Sequence, residues 1–309
     1  MGIWLSYSAY KQYKTCPKQY YLKRVKKDTP PEEDSRHNAA IGTVVMKVFE
    51  DFYNEEIWRK GAKTSDELLA RAELYFWEFV ENEYIDWDDF SCRFSGPKEV
   101  LDEILVMVPK VLAGIKREKF LGPYAKSEID IKVRFGMEDY LLGYLDFVIR
   151  TPEDELLLLD GKASRHREKN VDETQLYYYA LMFYLRYKKL PDRMGFFYFN
   201  FADDPELAMD WIDVDRAKIR DLRRDIEQVI YEIKQGKKGR NKAGNFPAKP
   251  QAKNCRYCLW ESVCGERLQQ KAANSKKRSK NKPKIEADFG DNGTAVIGFD
   301  ALKGGDGDA

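Results

Sequence analysis

Three charged residues lie inside runs that are otherwise apolar. Asp146 interrupts LLGYLDFVIR at residues 141–150, and Asp160 and Lys162 end LLLLDGK at residues 156–162. Strand side chains alternate, so Leu142, Tyr144, Asp146 and Val148 are expected on one face, as are Leu156, Leu158, Asp160 and Lys162. Thr151-Pro152-Glu153-Asp154 reads as the turn of a hairpin that brings the two carboxylates together. Runs this continuous suit strands covered on both faces, where an ionised carboxylate is costly unless paired or bound to a metal. Two hard oxygen donors and a lysine at one point suit a divalent cation, a water nucleophile and a phosphate group. An isolated D-x-K is also a common surface ion pair, so its weight depends on the rest of the chain.

A second constellation is soft. CRYCLWESVC contributes Cys255, Cys258 and Cys264, and Cys16, in Thr15-Cys16-Pro17, is the natural fourth thiol; Cys92 is left over as structural. Five cysteines in 309 residues, most of them clustered, favour a metal or cluster site over a disulfide framework. Four thiolates fit zinc or an iron-sulfur cluster equally on counting grounds. A clip between positions 16 and 264 would close nearly the whole chain into a ring.

The elements that must position these groups follow from periodicity. Ser6 and Ser8 are candidate helix caps, and Tyr7, Tyr10 and Tyr13 recur at helical spacing, as a core stripe in preference to a base-stacking one. Residues 39–54 read as a helix with Ile41, Val45, Val48, Phe49 and Phe52 on one side and Gly42, Met46 and Glu50 on another, which makes Glu50 a candidate third acid. Helices at 65–82 and 97–119 complete a helical lobe. A strand from Ser127, the hairpin, a basic loop with Ser164, Arg165, His166, Arg167 and Lys169, a helix at 172–188 and a strand at 193–201 follow. Gln175 and Tyr179 share a face one turn apart, and Asp215 caps a charged amphipathic helix to residue 235. This order implies an α/β core with a mixed sheet. From Leu268 periodicity fades into a basic run at 271–284 and an acidic, Gly-rich end, read as a disordered tail.

Composition supports a globular chain, with 43% hydrophobic and 14% aromatic residues. A net charge of +1, from 53 Lys+Arg against 52 Asp+Glu, excludes a globally basic nucleic-acid binder and leaves room for a local basic groove. No apolar stretch reaches the roughly 18 residues of a membrane span and no signal-peptide pattern opens the sequence, so a cytoplasmic protein without membrane association is expected.

In their order, these pieces resemble the PD-(D/E)XK nuclease superfamily, specifically its iron-sulfur branch of CRISPR-associated and RecB/AddB-like nucleases. The matching residues are the S-x-S and Cys16-Pro17 opening, the helix from Gly42-Thr43 to Glu50, Gly143-Tyr144-Leu145-Asp146, Asp160-Gly161-Lys162, Gln175-Leu176 to Tyr179-Ala180, and Cys255, Cys258 and Cys264. The resemblance implies a restriction-endonuclease-like core with a helical N-terminal lobe and an iron-sulfur clasp. It assigns residues 1–267 to the nuclease domain, with a helical insertion at about 54–120, a core at about 125–235 and the clasp at 255–264 with Cys16; residues 268–309 form the tail. Asp146, Asp160 and the Gly161 carbonyl would bind Mg2+ or Mn2+. Lys162 would position water and stabilise charge, Gln175 and Tyr179 would support the site and contact DNA, and Glu50 would complete the acids. The four cysteines would hold a 4Fe-4S cluster, with zinc as the alternative.

The implied activity is a metal-dependent DNA exonuclease of prokaryotic or phage origin, acting in recombination, repair, phage DNA metabolism or CRISPR adaptation. Its partners would be DNA and a helicase, recombinase or CRISPR adaptation protein. One departure stands out: Met46 occupies the position where RecB-type members carry a metal-ligating histidine, and a thioether is a poor match for hard cations. The competing reading is a noncatalytic iron-sulfur or zinc DNA-binding protein, or a subunit of a nuclease-helicase complex.

Overall fold

The computed structural model describes residues 2–31, 39–88, 92–122, 124–167, 172–238, 242–256 and 258–280. Lys169 and the end of the tail lie outside them. The chain opens with a short strand that its apolar pattern does not announce, β1 (Trp4–Ser6), followed at once by α1 (Tyr7–Thr15). Ser6 is the N-cap: its hydroxyl accepts from Ala9 N at 3.2 Å, satisfying one of the amides a helix start leaves orphaned. Pro17 opens α2 (Pro17–Tyr20) where its missing N–H costs nothing. Tyr7, Tyr10 and Tyr13 are buried, so the stripe is core. Their hydroxyls donate to Asp172, Asp225 and Glu232, which anchors α1 to later helices.

Two helical layers enclose a mixed six-stranded sheet. The first layer holds α3 (Ala40–Asn54), α4 (Thr64–Asn82) and α5 (Pro97–Arg117), and it packs Val45, Val48, Phe49 and Phe52 over Phe147, Ile149, Leu157 and Leu159. The second holds α1, α6 (Glu173–Tyr187) and α7 (Arg216–Gly236), over Leu141, Leu145, Val148, Leu156 and Leu158. Asp215 caps α7 as expected, accepting from Ala217 N at 2.6 Å.

The central strand is β3 (Asp139–Arg150), and β2 (Tyr124–Phe135) pairs antiparallel along one of its edges. A strand has two edges, so β1, parallel against residues 140–142, and β4 (Leu156–Lys162), antiparallel against 147–150, share the other. Their C-terminal ends point at each other across residues 143–146 of β3. After Leu159, β4 leaves β3 and continues beside the parallel β5 (Arg193–Tyr198), which pairs with β6 (Met209–Ile212). The expected strand to residue 201 stops at Tyr198 and turns as 3-10 helix over Phe199–Phe201.

Alternation along β3 fails at the residue that matters. Leu141 and Leu145 face the α1/α6/α7 core, yet Phe147 and Ile149, of the same parity, face the α3–α5 core. Leu142, Tyr144, Asp146 and Val148 therefore do not share a face, contrary to simple strand periodicity. Tyr144 is exposed beside α3, whereas Val148 is buried on the other side. The cause is visible in β2, where Glu128 has a φ of +51°. It stands opposite Asp146, between the pairs Ser127–Phe147 and Ile129–Leu145, and β2 switches face there as well. One left-handed residue turns both strands over without losing register.

Residues Met1–Trp260 form one compact unit. Its end returns to the start: Phe246 is buried against the rings of Tyr13, Tyr20 and Tyr21, and Lys249 Nζ donates to the Lys14 carbonyl at 3.4 Å. The short α8 (Ala252–Cys255) follows. A second unit, Glu261–Ala309, contains α9 (Gly265–Lys280) where loss of structure was expected from Leu268; Glu, Arg, Leu, Gln, Lys and Ala make that stretch a good helix former.

Candidate active site

The site occupies the break in the sheet. Because β4 parts from β3 after Leu159, Asp160 and Asp146 are no longer held by a shared ladder, and the Gly161 amide turns to the Asp146 carboxylate, donating to Oδ2 at 2.8 Å. The hairpin thus brings both acids together as their spacing predicts. Gly161 suits the place for want of room: a Cβ would lie 2.4 Å from Phe199 Cζ and 2.8 Å from Met46 Sδ.

Asp160 is 1% exposed and fully engaged on one oxygen. Gln175 Nε2 donates to Oδ1 at 2.6 Å and to the Tyr179 hydroxyl at 3.0 Å, while Lys162 Nζ donates to Gln175 Oε1 at 3.2 Å. Lys162 also lies 2.5 Å from Asp160 Oδ2, but that oxygen accepts no hydrogen bond of acceptable geometry and has no contact with solvent. The one-turn spacing of Gln175 and Tyr179 on α6 aims both at the carboxylate. Tyr179 is buried, which fits support of Gln175 and does not fit the expected contact with DNA.

Burial pushes the Asp146 carboxyl well above the usual carboxylate range; the Asp160 charge adds to this, and the Gly161 N–H opposes it. Burial also raises Asp160, with Lys162 pulling the other way. Two acids that resist ionising side by side describe a place where positive charge is wanted. The Tyr179 phenol is raised by burial and by both aspartates, so it stays protonated.

α3 forms the wall above the break. Gly42, Thr43 and Met46 border two clefts: one of about 700 Å3 that also contains Glu50, Glu128 and Tyr144, and one of about 620 Å3 that contains Gly161, Arg165 and His166. Glu50 reaches the first cleft as the helical spacing predicts, but it pairs with Lys47 at 2.8 Å. Arg167, from the basic loop, turns inward to pair with Asp210 and lies over the Tyr198 ring at 5.1 Å.

Glu128 was not identified by sequence reasoning. Burial raises its carboxyl first, then Glu50 and Asp160, so it belongs electrostatically to the same acid group. Its unusual backbone is held from both sides. Asn54, at the end of α3, grips the Ser127 backbone, donating from Nδ2 to the carbonyl at 3.1 Å and accepting from the amide at 3.4 Å. The Ser127 hydroxyl donates to the Asp146 carbonyl at 2.6 Å. The sequence carried no local signal: Glu128 fits the polar/apolar alternation of EIDIKVRF as an ordinary solvent-side residue, and nothing local shows that it faces Asp146.

Cys16, Cys255, Cys258 and Cys264 are each partly buried and outside any disulfide, and among the described residues no three His, Cys, Asp or Glu side chains come together as a metal-binding group. Cys92 is likewise a free thiol. No helix among the described residues is long and apolar enough to cross a membrane.

Comparison with known proteins bears on the whole arrangement. The family model described as "PD-(D/E)XK nuclease superfamily" matches residues 4–265, from β1 through the last cysteine. No curated protein matches the sequence. Among solved structures, "Crystal structure of SSO0001" aligns at 14% identity with a TM-score of 0.33, over 75% of this chain and 96% of that one.

Proposed function

Because the chain belongs to the PD-(D/E)XK nuclease superfamily, a group of metal-dependent nucleases, we propose that it is a DNA exonuclease hydrolysing phosphodiester bonds in single-stranded DNA or at DNA ends. The observation that carries this reading is the joining of Asp146 and Asp160 through the Gly161 amide, with Lys162 and Gln175 closing the same network. The donor set fits a hard divalent cation such as Mg2+ or Mn2+. It comprises two buried carboxylates with raised proton affinity, Asp146 and Asp160, the latter with Lys162 Nζ 2.5 Å from its Oδ2. Asp146, Asp160 and the Gly161 carbonyl would hold the cation, with Glu128 a further acid beside Asp146. When bound, it would supply charge stabilisation and an acidified water.

The chain's own residues do the rest. Gln175 fixes the rotamer of Asp160, Tyr179 fixes Gln175, and Lys162 keeps an ammonium beside the reacting phosphate, where such a donor is worth about 3 kcal/mol in other enzymes. Glu50 supplies negative charge at the cleft wall. A noncatalytic DNA-binding protein, alone or in a nuclease-helicase complex, is the second reading. It is favoured by one observation: the soft Met46 thioether sits against Gly161 at the floor of the site.

The 4Fe-4S cluster on Cys16, Cys255, Cys258 and Cys264 belongs to the proposal through the order of motifs. The docking of Phe246 and Lys249 beside α1 and α2 supports it by returning the chain toward the helices that flank Cys16. Anaerobic purification tests it: a brown protein absorbing near roughly 400 nm supports the cluster, and stoichiometric zinc refutes it. Catalysis is tested by cleavage of end-labelled single- and double-stranded DNA with Mg2+, Mn2+ or EDTA. Metal-dependent products that vanish in Asp160→Ala and Lys162→Ala support the nuclease, and DNA binding without products in either metal supports the second reading.

A further inference from the structure

The two clefts beside α3 have opposite electrostatic character. The one toward α4 is bordered by Glu50, Glu78, Glu83 and Glu128 against a single Lys47. The one toward α5 contains Arg93, Arg165 and His166, with Met46, Gly161 and Phe199 at its base. A phosphodiester strand leaving the acid pair is repelled by the first and attracted by the second.

Arg93 and Arg165 reach the second cleft from different loops and meet on one carboxylate. Glu103, on α5, accepts from Arg93 Nη2 at 2.7 Å through Oε1. Arg165 approaches it side-on, donating from Nη2 to Oε2 at 2.6 Å and from Nε to Oε1 at 3.3 Å. The Glu103 side chain is only 13% exposed, whereas the Arg93 and Arg165 side chains are 41% and 53% exposed. One carboxylate against two guanidiniums leaves a positive excess, and a carboxylate in a guanidinium fork occupies the geometry that suits a phosphate.

We propose that Arg93 and Arg165 form a phosphate clamp for the single-stranded DNA backbone next to the bond held at Asp146 and Asp160, and that Glu103 is its internal competitor. In the free protein Glu103 keeps the two guanidiniums together; an arriving phosphate takes over their donors. This placement directs the strand along the Gly161–Ala163 side of α3 and away from the glutamate cleft. It rests on the nuclease reading for its substrate, but its test does not require cleavage.

The experiment is fluorescence anisotropy of a labelled single-stranded oligonucleotide in EDTA, from low to moderate KCl, with the full-length protein. Each phosphate contact contributes about 0.7 to the salt slope for a single strand, so Arg93→Ala/Arg165→Ala should flatten the slope by about 1.4 and weaken binding more than tenfold at low salt. Glu103→Gln should tighten binding several-fold. Thermal unfolding of each variant verifies folding, and Arg93→Lys/Arg165→Lys, which keeps charge but loses the fork, should retain the slope while binding less tightly than wild type. A folded double-alanine variant with the wild-type slope, a Glu103→Gln variant that binds more weakly, or wild type that does not bind the oligonucleotide overturns the clamp. Slope loss in a protein that never cuts DNA sustains the clamp and removes the nuclease, whereas cutting with an unchanged slope does the reverse.

Discussion

Glu128 offers a direct test of whether the strand reversal at the acid pair is imposed at a cost. Its φ of +51° lies in the left-handed region, which costs an L residue about 1–2 kcal/mol. Glycine adopts it freely. At an ordinary strand position Gly is less stable than Ala by about 0.5–1 kcal/mol; here the order should invert. Glu128→Gly and Glu128→Ala both delete the carboxylate, so their difference isolates the backbone. Glu128→Gly is expected to exceed Glu128→Ala by about 1 kcal/mol, which for a unit of this size is about 2–4 °C in Tm. Urea unfolding with matched m-values measures it. The Ser127 clasp from Asn54 and the hydroxyl bond to Asp146 persist in both variants, so they cancel. If Glu128→Ala is as stable as Glu128→Gly, the left-handed residue is not what turns β2 and β3 over.

Other perturbations probe the remaining parts. The folded Asp146 pKa lies above its unfolded value, so the folded state binds the extra proton; stability of the cation-free protein should fall as pH rises from the ordinary carboxylate range through the folded pKa. Asp146→Asn should remove that loss, with a higher Tm than wild type at pH 8 and little difference at pH 4, and an unchanged pH profile would refute the assignment. Gly161→Ala places a methyl against Phe199 and Met46 and should cost about 1–3 kcal/mol while also displacing the amide from Asp146; full stability and cleavage would contradict the packing. Phe246→Ala empties the pocket among Tyr13, Tyr20 and Tyr21 and should cost about 3–5 kcal/mol, read by urea unfolding, with proteolysis appearing in the connector after α7.

Much of this was legible in the chain. Apolar runs around Asp146 and Asp160, with a Pro-containing turn between them, define a hairpin, and helical spacing carries Gln175 to Tyr179 and Met46 to Glu50, because these relations reach only a few residues along the backbone. The tyrosine stripe of α1 reads as core for the same reason. Tertiary structure alone decided the rest. Glu128 joins the acids because β2 is laid against β3, and its backbone, which no sequence motif marks, reverses the faces of both strands. β1 is three residues long and gains its strand identity from pairing partners in β3 that lie 136 residues away, too far for any local pattern to report. Glu103, Arg93 and Arg165 come from separate segments, and only the tertiary fold brings the loop after β4, with Arg165, to the Glu103 carboxylate on α5. Periodicity determines which residues share an element; which elements share an electrostatic field depends on how the layers close, and closure is set by contacts between residues far apart in the chain.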